Sequence, residues 1–176
     1  TTLDAVLIAG QKAFAAHVGD SRVYLHRQSG IHQLTEDHSL INELLKRGRM
    51  PPEQIAHVGN RNAVTRALGP YPTVEVDLFD FDLLPGDTLL LCTDGLTNHV
   101  EVSDMARILE GNEAQDATQR LVDLANERGG SDNISLIISH AEAEAGAASE
   151  MKEQLQLRFD TLKLMPLYRY LTYNEL

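Results

Sequence analysis

Three carboxylates stand out in this 176-residue chain, because each follows an apolar run and sits among small residues. Asp20 lies in Val18-Gly19-Asp20-Ser21-Arg22, Asp94 in Cys92-Thr93-Asp94-Gly95-Leu96, and Asp132 in Gly129-Gly130-Ser131-Asp132-Asn133. A carboxylate at the end of a buried strand loses water and needs a cation, hydrogen-bond donors or a proton in its place. Several such groups meeting at one end of a sheet repel each other unless a hard cation lies among them. Mg²⁺ and Mn²⁺ suit that role, since both prefer oxygen ligands. Each acid also has a plainer reading. Asp-Gly and Gly-Asp-Ser are ordinary turn sequences. Asp20 has Arg22 close by as an ion-pair partner, and Asp132 is placed to cap the loop before Ile134. Spacing alone does not bring the three acids together. His38, after Asp37, reads as the first residue of a helix. Cys92, inside an apolar strand, reads as a core residue rather than a nucleophile. His17, His26, His32, His57 and His99 show no ligand spacing.

The elements that must position these loops follow from periodicity. Ala5–Ala9, Lys12–Val18, Ser21–His26 and Ile31–Leu34 read as strands with short connections, which implies antiparallel meanders. A helix is expected over about His38 to Arg49, with Leu40, Ile41, Leu44 and Leu45 on one face and Pro51-Pro52 beyond it. Glu53 to Ala67 is polar and irregular. Thr73–Phe79 alternates as a strand, and Thr88–Thr93 is a continuous buried strand ending at Asp94-Gly95. Helices over about Ser103–Glu110 and Ala114–Arg128 precede a last strand from Ile134 to Ser139. Strands, helix, strands, helices, strand is a segregated order, and the fold class expected is α+β.

Composition narrows the function. Fifteen Lys and Arg against 26 Asp and Glu give a net charge of −11, which argues against a nucleic-acid partner and offers no polybasic anchor for a membrane. No apolar run has the length of a bilayer span. A single cysteine forms no internal disulfide, so a reducing, cytoplasmic setting is expected. Glu142 to about Glu150 is a small-residue linker, and Met151 to Leu164 reads as an amphipathic helix interrupted at Pro166.

From Leu3 to about Ala141 the chain resembles the metal-dependent protein phosphatase family (PPM, type 2C) in its bacterial serine/threonine form. The resemblance rests on Ala16-His17-Val18-Gly19-Asp20-Ser21-Arg22-Val23-Tyr24, Leu34-Thr35-Glu36-Asp37-His38-Ser39 and Val64-Thr65-Arg66-Ala67-Leu68-Gly69. It continues in Asp87 to Leu96 and in Gly129-Gly130-Ser131-Asp132-Asn133-Ile134. It implies a β-sandwich of two antiparallel sheets flanked by helices, incomplete at the N-terminus, with a flap over about 37–66 that returns at Arg66 and Gly69. It also implies hydrolysis of phospho-Ser/Thr proteins by a water held between two metal ions, or three ions in the intact site. Asp94 and Asp132 fall on the metal-ligand positions, and Asp20 on the acid that helps hold a third ion with Asp94. A departure accompanies the likeness. The family's bridging Asp in Asp-Gly-x-Gly-Gly and its phosphate-binding Arg are absent from this chain, and neither Asp4 nor Asp20 has that glycine pattern. The expectation is an N-terminally truncated phosphatase domain over 1–141, weak or inactive as it stands, within an active parent.

A second resemblance lies in the tail. Leu162 to Leu176 looks like the opening helices of a cyclic-nucleotide-binding domain, with 142–150 as linker and 151–176 as helical extension. That implies a cyclic nucleotide as regulator, and the phosphatase likeness implies a cognate Ser/Thr kinase as partner. The alternative function is a non-catalytic module of the same fold that binds a phosphoprotein or kinase. A plain acidic interaction domain, its Asp loops mere turns, is a third.

Overall fold

The computed structural model describes residues 1–28, 30–48 and 63–142. Most of the expected flap tip, all but the first residue of the linker, and the tail with its cyclic-nucleotide resemblance lie outside the described residues. The strands are β1 (Leu3–Ala9), β2 (Lys12–Val18), β3 (Arg22–Arg27), β4 (Gly30–Gln33), β5 (Asp77–Asp82), β6 (Thr88–Cys92) and β7 (Leu136–His140). The helices are α1 (Leu40–Lys46), α2 (Asp94–Thr97), α3 (Val102–Gly111) and α4 (Ala114–Glu127). All strand pairs are antiparallel, in a three-stranded sheet of order β1-β2-β5 and a four-stranded sheet of order β4-β3-β6-β7. The α+β class and the pair of antiparallel sheets agree with the sequence reading.

Alternation builds three layers. On β3 and β6, Val23, Leu25 and Leu89 meet Ala13, Ala15 and Phe81 of the smaller sheet. Tyr24, Leu90 and Cys92 point the other way, onto Met105, Ile108 and Leu109 of α3 and Ala117, Leu121 and Ala125 of α4. β3 and β6 therefore carry apolar residues on both faces, which is why their sequences read as continuous runs. Both helices present an apolar stripe at helical spacing to that layer. Among the described residues no helix is long and apolar enough to cross a membrane.

Several strand bounds differ from the sequence expectation, for one physical reason. A strand needs a ladder partner. β5 begins at Asp77 rather than Thr73 because its pairing with β2 starts at His17↔Asp77. β7 begins at Leu136 rather than Ile134 because Cys92↔Leu136 is the first pair with β6. The strand expected to end at Asp94-Gly95 stops at Cys92, and Asp94 opens α2. His38 is not in α1. Ser39 is the N-cap, its hydroxyl accepting from the Asn42 amide at 3.3 Å, and His38 precedes it.

Candidate metal site

The strand ends β2–β3 and β6–α2 place Asp20 and Asp94 in the wall of one pocket of about 260 Å³. It is completed by Arg22, Asp37, Ser39, Ile41, Thr97 and Asn98. Burial, and next the charge of Asp94, hold the Asp20 carboxyl above the usual carboxylate range. Two acids thus face each other in a half-buried setting where a bound cation would relieve their repulsion, and the donor chemistry fits a hard divalent ion.

Glycines make this approach possible. Gly19 has φ +120°, and a Cβ there would lie 2.3 Å from Thr2 Cγ2. At Gly95 a Cβ would lie 2.4 Å from the Asn133 carbonyl oxygen, so the Asp94 and Asp132 loops touch backbone to side-chain-free backbone. Thr93 ties them further, its hydroxyl reaching the Asn133 and Ser135 carbonyls at 3.3 and 3.4 Å. Asp132 itself is exposed, and its Oδ1 accepts from the Asn133 amide at 2.7 Å. The structure thus gathers Asp20 and Asp94 and leaves Asp132 on the neighbouring loop. Among the described residues no group of three or more His, Cys, Asp or Glu is gathered to hold a metal ion.

Arg22 does not serve Asp20 as its ion-pair partner. Its Nε and Nη2 donate to both oxygens of Asp37 at 2.8 and 2.7 Å, and Nη1 donates to the Tyr24 hydroxyl at 3.1 Å. This fork-on-carboxylate pair fixes the wall shared with a second, adjoining pocket of about 440 Å³ that runs under α1 past Glu36, Asn42 and Leu45. The start of the flap is held as firmly. Asn42 Nδ2 donates to Glu36 Oε1 and to the Asp37 carbonyl, and Lys46 pairs with Glu36. At its return, the Leu40 amide donates to the Ala63 carbonyl and the Thr65 amide to the His38 carbonyl.

Behind the pocket lie residues with no ligand spacing in the sequence. His17 Nδ1 donates to Asp4 Oδ1 at 2.6 Å and Nε2 to the Glu36 carbonyl at 2.9 Å. Asp4 Oδ1 is thereby paired with His17, while Asp4 Oδ2 is buried without a hydrogen-bond partner among the described residues. The His17 and His38 rings pack against each other, tilted by 41°, with centroids 4.6 Å apart. Cys92 is buried, and burial pushes its thiol up to about 12, which makes it inert as a nucleophile.

The sequence profile of protein phosphatase 2C matches residues 1–134. The chain belongs to the protein phosphatase 2C family. It is 41% identical over 147 residues to protein phosphatase PhpP of Streptococcus pneumoniae, covering 82% of this chain and 60% of that protein. A serine/threonine phosphatase structure from S. agalactiae superposes with a TM-score of 0.77 at 42% identity, covering 80% of this chain and 59% of that one. The catalytic domain of the phosphatase PstP, solved with two manganese ions, superposes at 0.72 with 34% identity, covering 81% and 59%. This phosphatase 2C chain thus spans about three fifths of the length of the relatives it matches.

Proposed function

We propose that this protein is a Mn²⁺- or Mg²⁺-dependent serine/threonine phosphoprotein phosphatase, and that Asp20, Asp94 and Asp132 are metal ligands. The observation that carries the reading is the Asp20–Asp94 pair, two carboxylates lining one pocket, with burial and then the charge of Asp94 raising the Asp20 carboxyl. Bound ions supply an activated water and neutralise charge on the phosphoryl oxygens. The chain's own contribution is to hold the acids on strand ends, to shape the wall with the Arg22–Asp37 pair, and to frame the approach with the flap base. Because the bridging Asp-Gly-x-Gly-Gly is not among these 176 residues, slow turnover by this chain is part of the proposal. So are a cytoplasmic setting, a cognate Ser/Thr kinase, and a cyclic nucleotide taken by a domain beyond residue 176 whose opening helices 162–176 resemble.

Calorimetric titration with Mn²⁺, alongside hydrolysis of a phosphothreonine peptide, tests the reading. Asp94→Asn is expected to weaken Mn²⁺ binding most, since Asp94 serves every ion the family likeness assigns here. Asp20→Asn should remove the weaker component, and Asp132→Asn should reduce affinity too. Titrations superposing on the wild type for all three variants would return the acids to their turn-forming role.

A further inference from the structure

We infer that His38 is a positioning residue that sets the Asp20 carboxylate by clasping the backbone just before it. The inference rests on the reading of Asp20 as a metal ligand and adds to it the group that fixes the ligand's loop.

The clasp is double. The His38 amide donates to the Gly19 carbonyl at 2.7 Å, and the Gly19 amide donates to His38 Nδ1 at 3.1 Å. Both polar groups of Gly19 are thus spent on one residue 19 positions away. An imidazole nitrogen that accepts carries no proton, so the ring is the Nε2–H tautomer, and Nε2 donates to Asp77 Oδ2 at 3.0 Å. Arg66 Nη1 donates to Asp77 Oδ1 at 2.7 Å, so the acceptor that selects this tautomer is itself held at the flap's return. The ring is buried and packs, tilted by 41°, against His17, whose Nε2–H grips the Glu36 carbonyl.

The two histidines cross. His17, on β2, holds the backbone of the segment leading to α1, and His38, in that segment, holds the turn leaving β2. Gly19 sits at φ +120° with no room for a Cβ, so its peptide orientation is set from outside rather than by its own side chain. What sets it is His38. Movement of the flap's return at Arg66, or of the start of β5 at Asp77, would therefore reach Asp20 through His38, although neither residue touches the ion. Groups that orient a metal ligand without binding the ion typically cost about 10–100-fold in affinity when removed.

Three substitutions separate positioning from packing. Asn places an acceptor oxygen near the place of Nδ1, whereas Gln carries its oxygen one bond further out. His38→Ala and His38→Gln should weaken Mn²⁺ binding at the Asp20 component by about tenfold, and His38→Asn should recover most of it. Without metal, the Gly19 amide should be protected from hydrogen exchange in the wild type and His38→Asn and exchange freely in His38→Gln. If His38→Ala does not fold, the Asn–Gln contrast carries the test. Wild-type Mn²⁺ affinity in His38→Gln, with weakened binding in Asp20→Asn, overturns the inference and leaves the metal reading standing. Equal losses in Asn and Gln overturn it in favour of packing. Unchanged binding in Asp20→Asn and Asp94→Asn removes the metal reading and this inference with it.

Discussion

His17 points two ring nitrogens at groups that only accept, a carboxylate and a main-chain carbonyl, and both bonds are made at once only by the imidazolium. Burial opposes that charge, but the hydrogen bond and charge of Asp4, followed by the Glu36 carbonyl, outweigh it and raise the folded-state value above 6.5. A base with a raised folded value binds its proton more tightly in the native state, so the contribution is full below about pH 6.5 and fades as pH rises through the folded value. His26 is pushed the other way by burial and titrates in any variant, so the informative quantity is a difference. Melting temperature measured from pH 6 to pH 9 should fall more steeply for the wild type than for His17→Asn; parallel profiles would show that the pair is not charged. These histidines also mark the limit of sequence reading. The Asp20, Asp94 and Asp132 loops are legible because turn chemistry next to an apolar run is local. His17 and His38 meet only after β2 and the segment before α1 are brought together, and nothing in their spacing encodes that.

Between elements, the pattern legible in sequence was period, and what it missed was the extent of each ladder, since a strand's end is decided by its partner. The shift of β5 to Asp77–Asp82 is such a case. A second non-local feature is the Arg27–Asp87 pair, which joins the end of β3 to the turn before β6. Arg27 Nε and Nη2 donate to the two oxygens of Asp87 at 2.9 and 2.7 Å, with side-chain exposures of 6% and 0%. Asp87 also accepts from the Leu84 amide at 2.7 Å, and Arg27 donates to the Asp82 carbonyl. Removing one member leaves an uncompensated buried charge, which costs about 3–5 kcal/mol, whereas an apolar pair of similar volume is often neutral. Urea denaturation of Asp87→Ala should show a loss of that order, and the double variant Arg27→Met with Asp87→Leu should recover much of it. A single variant within about 1 kcal/mol of wild type would place the stabilisation elsewhere, in the range of an ordinary surface pair.

Taken across its layers, the domain is asymmetric. The larger sheet is covered on both sides, by the smaller sheet and by α3 and α4, so its burial follows from its own sequence. Among the described residues the smaller sheet is covered on one side. Its outward residues include Leu3, Leu7, Phe14 and Leu78, of which Leu7 is 67% and Leu78 75% exposed, and among the described residues β1 is one of its edges. Register sets Leu7 beside Phe14 and Ala5 beside Ala16, next to Leu78, so these side chains form one contiguous strip rather than scattered exposure. Strips of this kind, at an unpaired edge, favour association between chains. Against it stands the net charge of −11, which makes copies repel over a distance that salt shortens, to about 8 Å at physiological ionic strength. The two effects separate experimentally. Sedimentation velocity over a concentration series should show association that strengthens as salt is added, because screening removes the repulsion while apolar attraction persists. Leu7→Lys with Leu78→Lys should abolish it at every salt concentration without moving Mn²⁺ affinity, since neither residue lines the pocket of Asp20 and Asp94. A monomer at all concentrations and salts would mean that the strip is too small to bind a second copy, and association weakening with salt would mean that charge pairs rather than this face hold the chains together.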